Sequence, residues 1–451
     1  MEQKSLLLSG ILLLSSFGAL HAADAITVTP AAGADISAAI AEAKNGHESV
    51  GDITINLAEK ASYTLTASIE TGAGLVINGN GATIDASALE APFILMSATP
   101  AVEAVNDYYR VATVAIKDVT VNNVKNSIFY DNNTKYCVVD FSISDAVFSL
   151  ATTAVENETL VSFKGGGAKD FTVKNSTIYG NGEVAKYFIR YNNSARLDRY
   201  GFDKNTEFQC MTYLNNTFFN LLKDGGQWGN YSAIGGQNYI KFNVQNNIWV
   251  DCGQDIIRRM AGGRFGGSAP REMNYNTYFD NGENRASFEA SYDSGRILET
   301  NPSFKDATAG DFTIGAYTQQ AQFKTGAPKW LVEFAPEDIS AVKATLLAEI
   351  TKALELAGTD PSEAAELLRA SAAAAQSVYD TAYFEFEINK AIETLKAAEE
   401  AYERSGIGNV AVDGAESPVE YYNLQGVRVA EPANGIFIRR QGSEVTKVLV
   451  K

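Results

Sequence analysis

The sequence predicts a mainly β fold in which a parallel β-solenoid precedes a small three-helix bundle and a short C-terminal β-meander. Three observations predict it. An Asn-centred motif recurs five times between residues 125 and 281. Residues 333–405 change to Ala, Glu, Leu and Lys at helical spacing, and residues 406–451 return to short apolar runs separated by Gly. The predicted domains are a signal peptide (1–25), a β-helix (26–332), a helical bundle (333–405) and a C-terminal β domain (406–451).

The repeated motif predicts the solenoid. Its copies begin at Lys125, Lys174, Leu214, Gln245 and Asn274, at intervals of 49, 40, 31 and 29 residues. A strand-turn-strand unit at such intervals is typical of coils that pair with the next coil at about 4.8 Å. Asn suits the turn because it tolerates positive φ and its amide can bond to the Asn stacked above it. An antiparallel β-sandwich with Asn-rich turns is the alternative.

The N-terminal region predicts export followed by a capped solenoid. Met1–Ala25 combines a basic start, the apolar run Leu6–Leu14 and small residues for cleavage, as a secretory signal does. The apolar run is too short to span a bilayer, which needs about 20 residues, and no later segment resembles a span. Asp35–Ala43 has an amphipathic helical pattern that predicts a cap on the first coil, which would otherwise expose a strand edge.

The helix pattern, the strand-like run Ile53–Leu57, the run Gly74–Ile84, the Asn turns and the closing run 301–315 resemble the pectate-lyase-like right-handed β-helix superfamily. The resemblance covers about 300 residues and implies a right-handed parallel β-helix. Two hydrolase motifs of that superfamily do not occur: the chain has no Asp-Asp pair, and no histidine follows His47. The Arg-x-Pro-x-x-Arg signature of pectate lyases does not occur either, so a lyase expectation rests on analogy of fold.

Charge and composition exclude several classes. The formal net charge is −17, and residues 331–420 contribute 18 acidic against 6 basic residues, a net of −12. Such acidity argues against a nucleic-acid partner, which needs clustered Lys and Arg. Two histidines, one of them in the leader, nearly exclude multi-histidine zinc sites and Ser-His-Asp triads. The three cysteines are expected to be buried apolar residues rather than a disulfide framework.

A row of cations is the predicted binding face. Lys164, Arg190, Lys223 and Arg258 each follow an apolar residue, and stacking would align them at the spacing between coils. Arg grips carboxylates bidentately, and a Lys or Arg of lowered pKa can remove the proton next to a carboxylate. The predicted catalytic residues are Lys223, Arg258 and Arg190, and the predicted substrate-binding residues are Lys164, Arg199, Lys241, Arg259 and Trp249. Ordinary solubility residues, paired with nearby acids, are the alternative.

Two further columns follow the motif. Asp251 and Asp280 come from successive copies, so their carboxylates are predicted to share one Ca²⁺, although turn chemistry explains them equally well. The aromatic residues Phe129, Phe218, Trp249 and Tyr278 are better explained as a stacked interior row than as a sugar platform.

The last regions resemble accessory modules. The three predicted helices, the first carrying a Leu346–Leu356 stripe, are similar to FIVAR-type modules of carbohydrate-active proteins, and a generic spacer bundle is the alternative. The ending Lys447–Lys451 and the strands before it resemble the C-terminal sorting domains of type IX secretion. That resemblance implies the secretion machinery as a partner; a structural meander is the alternative.

These observations predict a secreted or cell-surface protein that engages polysaccharide containing uronate, with polysaccharide-lyase activity as a further expectation. The alternatives are a non-catalytic glycan-binding or scaffold protein and an adhesin that recognises host protein.

Overall fold

The computed structural model describes residues 23–47, 49–131, 134–151, 158–180, 182, 185–191, 197–203, 206–230, 240–253, 256, 271–279, 296–404, 418–442 and 444–450. The chain divides into two compact units, residues 1–335 and 336–451. The predicted signal peptide lies almost entirely outside the described residues. Its last two residues, Asp24 and Ala25, already belong to the first strand.

The first unit is a parallel β-helix whose strands form three lengthwise faces, called sheets 1, 2 and 3. Two long strands, β5 (Leu75–Asp85) and β8 (Tyr108–Val124), run through both sheets 1 and 2 and join them. The other strands of sheet 1 are β1 (Asp24–Val28), β2 (Val50–Asn56), β10 (Tyr136–Ser144), β13 (Gly167–Lys174), β16 (Gln209–Leu214), β19 (Ile240–Gln245) and β21 (Arg271–Asn274). Those of sheet 2 are β3 (Ser62–Thr64), β11 (Val147–Leu150), β14 (Thr177–Tyr179), β17 (Thr217–Phe219), β20 (Ile248–Val250) and β22 (Thr277–Phe279).

Sheet 3 completes each coil. Its strands are β4 (Ile69–Thr71), β6 (Ile94–Met96), β9 (Phe129–Asp131), β12 (Thr159–Phe163), β15 (Ala185–Tyr191) and β18 (Leu222–Asn230). Every ladder between coils is parallel. The short strand β7 (Ala104–Val105) instead forms an antiparallel hairpin with β8. The predicted mainly β fold with long parallel sheets is therefore confirmed.

The turn between sheets 1 and 2 is the predicted Asn turn. Asn175, Asn215 and Asn246 have φ near +52° to +56°, the left-handed conformation that Asn tolerates. Each donates its side-chain amide to the residue one coil earlier, at 2.9 Å to Asp145, 3.1 Å to Asn175 and 3.2 Å to Asn215. In the last copy the same place is taken by Tyr275. The predicted amide stacking is confirmed for the three copies with Asn175, Asn215 and Asn246, and the fourth keeps only the left-handed turn.

The first predicted copy is wrong. Lys125–Ser127 lies between β8 and β9, at the passage from sheet 2 to sheet 3. In the early coils the left-handed turn residues are Asp118 and Asp145 instead. Asp also tolerates this conformation and accepts the same hydrogen bond, so a search for Asn alone misses it.

A second ladder lies one residue further on, inside the coil. Asn216, Asn247 and Asn276 are fully buried. Asn216 donates to Asn247 at 2.9 Å, and Asn247 donates to Asn276 at 3.1 Å. Each amide also donates to a backbone carbonyl, so these buried polar groups are satisfied.

Stacked apolar side chains fill the interior. Phe141 and Phe171 stack with their planes 8° apart, and Phe218, Trp249 and Tyr278 stack at 5.4 and 5.3 Å. The predicted interior aromatic row is thus confirmed for these last three. Phe129 belongs to sheet 3 instead.

A helix closes the first coil. Helix α1 (Ile36–Lys44) begins at the cap Asp35, whose carboxylate accepts the Ser37 N–H at 2.9 Å. Its apolar residues Ile36 and Ile40 join the main core, as the amphipathic pattern predicts.

Residues 298–335, called the strap, run back across the outside of sheet 2. The strap contains the short helix α2 (Gln319–Gln322) and two 3₁₀ turns, Ala307–Ala309 and Pro328–Trp330. The run 301–315, which its resemblance places in the last coils, belongs to the strap instead. Its Phe312 ring packs against Tyr179 and Phe219 of sheet 2.

The second unit contains a three-helix bundle and a separate sheet. Its helices are α3 (Ser340–Ala357), α4 (Glu363–Thr381) and α5 (Glu385–Arg404). Leu346 and Ile350 are buried as predicted, but Leu347 and Leu354 of the same predicted stripe are 42% and 46% exposed. The antiparallel sheet has the order β24 (Arg428–Val429), β23 (Val419–Tyr422), β25 (Gly435–Gln441) and β26 (Glu444–Val450). Within the described residues, no helix is long and apolar enough to cross a bilayer.

Candidate functional site

The outer face of sheet 2 is covered by the strap. The Trp330 indole donates to the Thr177 hydroxyl at 2.7 Å, and the Ala327 N–H donates to Thr217 at 3.0 Å. Gln320 donates to Thr277 at 2.9 Å. The Thr that follows the Asn turn therefore receives the strap in three coils, and this face is not available to a ligand.

The outer face of sheet 1, called the open face, is the candidate site. Its side chains form three rows because the strands pair in register and alternate residues point outward. Row 1 contains Thr113, Asp140, Asp170, Cys210 and Lys241. Row 2 contains Ala115, Ser142, Thr172, Thr212, Asn243 and Glu272. Row 3 contains Lys117, Ser144, Lys174, Leu214, Gln245 and Asn274.

Polar side chains dominate this face and are accessible. Ser142, Thr172, Thr212 and Asn243 are half-buried along the middle row, and the alternating residues between them are buried in the core. Neighbouring members are about 4.8 Å apart across the strands, and rows are about 7 Å apart along them. The face is thus a regular array of hydroxyl and amide groups, each able to donate and accept hydrogen bonds.

Two carboxylates stack in row 1. Asp140 and Asp170 are register partners, and burial together with the Asp170 charge raises the pKa of Asp140. Lys169 lies 3.4 Å from Asp170 and 3.8 Å from Glu207, so it compensates part of this negative charge. Burial and Asp170 also raise the pKa of the Cys210 thiol, which keeps it in the protonated, unreactive form.

An aromatic loop borders the open face where its strands begin. Residues 197–203 and 206–208 carry Phe202 and Phe208, both half-buried. The Arg110 guanidinium lies 4.1 Å from the centre of the Phe202 ring, and the Lys169 ammonium lies 5.4 Å from the same ring. The Lys241 ammonium lies 4.1 Å from the centre of the Phe208 ring. These cation–π contacts hold basic groups beside the polar rows.

The predicted cation row does not form among its described members. Arg190 pairs with Ser162 on one side and with Asn230 on the other, so neither Lys164 nor Lys223 is its register partner. Lys223 follows Leu222, which pairs with Ala185 at the other end of β15. The dipeptides Ile189-Arg190 and Leu222-Lys223 do not align, because the register of the ladder between β15 and β18 shifts between Ala185 and Tyr187.

The remaining predicted binding residues are spread over the unit. Lys241 lies on the open face, and Arg199 is exposed in the 3₁₀ turn Leu197–Tyr200. Trp249 is fully buried, so its predicted role in substrate binding is wrong. Arg258, Arg259 and the side chain of Lys223 lie outside the described residues.

Only one residue of the predicted calcium pair, Asp251, lies within the described residues. Asp251 is an exposed turn residue with φ +52°, stacked on Asn220, and Asp280 lies outside the described residues. In the part of the chain that the structure describes, no group of three or more His, Cys, Asp or Glu side chains is arranged to hold a metal ion. Calcium binding stays a prediction.

Asp131 lies inside the solenoid. It is fully buried between Met96 and Phe163. Burial raises the pKa of Asp131 to about 8, although the backbone N–H groups of Gly165, Thr134 and Tyr136 oppose the rise. Neither carboxyl oxygen has a hydrogen-bond partner among the described residues. Asp131 is therefore protonated at neutral pH.

The sequence carried a signal for the open face that an alignment on Asn alone overlooks. Outward residues precede each turn at alternate positions, as in Asp170, Thr172 and Lys174 before Asn175. Arg110 has no comparable signal, because its partner Phe202 lies 92 residues away along the chain.

Residues 50–181 match the model of a family described as a domain of unknown function (DUF4957). The match runs from β2 past β14 and contains Arg110, Asp140 and Asp170, but not the strap. No curated protein and no solved structure matched the chain.

Proposed function

We propose that this is an exported protein whose β-helix binds an extended polysaccharide along the open face. The observation that carries the proposal is the middle row, which presents one hydroxyl or amide per coil from Ser142 to Asn243. One strand spacing, about 4.8 Å, is close to the length of one sugar unit in an extended chain. A polysaccharide lying across the strands would meet the same hydrogen-bonding group at each successive residue.

The charges bordering the rows support a ligand that contains uronate. Lys117 and Lys174 are exposed in row 3, and Lys241 borders row 1. These cations attract a carboxylated chain, while Lys169 compensates the carboxylates of Asp170 and Glu207. Binding is the core of the proposal, and lyase activity is a separate expectation that the same experiment tests.

The experiment measures binding of pectate, alginate, a glycosaminoglycan and a neutral glucan by affinity electrophoresis. The double variant Thr172→Arg/Thr212→Arg places two bulky side chains in the middle row and is expected to lower affinity at least tenfold. The control Ala88→Arg/Ala91→Arg adds the same charge in an exposed turn after β5 and is expected to change affinity less than twofold.

The same samples, with and without Ca²⁺, are followed by the absorbance of unsaturated product. Product that disappears in the double variant would support lyase activity on this face. Binding without product would leave a glycan-binding or scaffold protein. Equal binding by the double variant and its control would refute the open face as the site.

A further inference from the structure

We infer that Arg110 forms a carboxylate-binding subsite at the edge of the open face and selects glycans that carry uronate. This inference rests on the proposed function and adds to it a specificity-determining residue. Arg110 lies in β8, three residues before Thr113 of row 1, and is the register partner of Cys137. A chain lying along row 1 would pass about 10 Å from it along the strand.

The loop that carries Phe202 is built to approach Arg110 closely. Gly201 has φ +76°, which favours glycine. A Cβ at this position would lie 2.6 Å from Val105 Cγ1 and 3.7 Å from the Arg110 guanidinium. The neighbouring Tyr200 is fully buried and packs edge-on against Tyr108, so the loop is anchored to the same hairpin that presents Arg110.

Stacking fixes the guanidinium without using its donors. The guanidinium carbon lies over the Phe202 ring, 4.1 Å from its centre, and a cation–π contact of this kind consumes none of the N–H donors. The N–H groups lie in the guanidinium plane and stay available as a fork, which matches the two oxygens of a carboxylate. A lysine at the same position would supply charge but no such fork.

Arg110 has no counter-ion within the described residues. No carboxylate there lies within 4.0 Å of its guanidinium, and no acceptor bonds to it. The nearby Lys169, by contrast, already pairs with Asp170 and Glu207. The two flanking segments outside the description, 192–196 and 204–205, contain no acidic residue. A half-buried arginine with no counter-ion among the described residues is suited to an external anion.

The test compares a uronate polymer with its carboxyl-reduced, neutral counterpart, measured by titration calorimetry on the full chain. The wild type is expected to bind the uronate polymer at least tenfold more tightly. Arg110→Gln is expected to lose that preference while binding the neutral polymer unchanged. Arg110→Lys, which keeps the charge and the stack, is expected to recover only part of it. Lys305→Gln removes one exposed charge from the strap, which covers sheet 2 and not the open face, and is the matched control, with less than a twofold effect expected.

Three outcomes would overturn the subsite. Equal binding of both polymers by the wild type would show that carboxylates are not recognised, while the proposed function would stand. Equal losses in Arg110→Gln and Lys305→Gln would reduce the effect to general electrostatics. Binding of neither polymer would refute the proposed function together with the subsite.

Discussion

The outer faces of sheets 1 and 2 belong to the same coils but differ in what covers them. On sheet 2, Thr177, Thr217 and Thr277 accept hydrogen bonds from the strap, and Phe304 of the strap packs in one apolar cluster with Phe219 and Phe279. On sheet 1 the middle row before the same turn consists mostly of Ser, Thr and Asn side chains that face outward and are partly exposed. The difference shows that a solenoid repeat does not by itself define a binding face. The non-repeating segment that returns over the coils selects which face stays open.

The largest effect is expected where the covered face is disrupted. Phe312 is fully buried between strap and sheet 2, so Phe312→Ala is expected to lower the free energy of unfolding by about 3–5 kcal/mol. Thr212→Ala on the open face is expected to change it by less than about 0.5 kcal/mol. Denaturant titration measures both. Similar losses in the two variants would mean that the open face is also packed against something.

The buried acid of sheet 3 extends the comparison to pH. The raised pKa of Asp131, about 8, means that the folded chain holds a proton that the unfolded chain releases near pH 4. The free energy of unfolding is therefore expected to fall as pH rises from about 4 to about 8, by at most about 1.4 kcal/mol per pH unit. Asp131→Asn is expected to remove most of this decline, and Asp140→Asn on the open face to leave it. Thermal melts measured from pH 4 to pH 8 test this expectation. If the free energy of unfolding of Asp131→Asn fell with pH as steeply as that of the wild type, the raised pKa of Asp131 would be contradicted.

The two Asn ladders offer a smaller test at the corner between the faces. Asn247→Ala leaves several buried donors and acceptors without partners, so a loss of about 2–3 kcal/mol is expected. Asn246→Gly removes only the outer ladder and keeps the left-handed turn, so a change within about 1 kcal/mol is expected. Chemical denaturation measures the free energy of unfolding of both variants. A larger loss in Asn246→Gly than in Asn247→Ala would contradict the expectation that the buried ladder contributes more to stability than the outer one.

The smallest effect concerns the carboxylate pair on the open face. Because burial and the Asp170 charge raise the pKa of Asp140, Asp170→Asn is expected to shift that pKa downward. The free energy of unfolding of Asp170→Asn is expected to differ from that of the wild type by less than about 0.5 kcal/mol, as for other accessible positions. Carboxyl-carbon NMR titration measures the pKa. An upward shift would show that the two groups do not interact as their register implies.

Much of the fold could be predicted because its signals are local. The Asn turns recur along the chain, the cap of α1 lies at Asp35, and the three helices have amphipathic patterns. The strap could not be predicted, since run 301–315 contains ordinary strand and turn residues. Its place depends on contacts such as Trp330 to Thr177, which are 153 residues apart.

The site was harder to predict because it depends on register. The pairs that suggested a cation row were aligned by sequence, but Arg190 lies opposite Ser162 in an unbroken ladder, and a register shift between β15 and β18 separates it from Lys223. Trp249 is an inward residue of a short strand, as the interior aromatic row predicts, and this burial rules out the substrate-binding role predicted for the same residue. One predicted binding residue, Lys241, does lie on the open face, because its strand pairs in an unbroken ladder.

The strap also limits how the molecule can change in length. Its donors meet Thr277, Thr217 and Thr177 in successive order, so an added coil between β14 and β22 would shift them out of step by about one strand spacing. Among the described residues, the strap makes no such hydrogen bond to the coils before β14. Duplication of coils by recombination should accordingly be tolerated near the N-terminal end, where it would lengthen the array available to a polymer, and be rejected towards the C-terminal end.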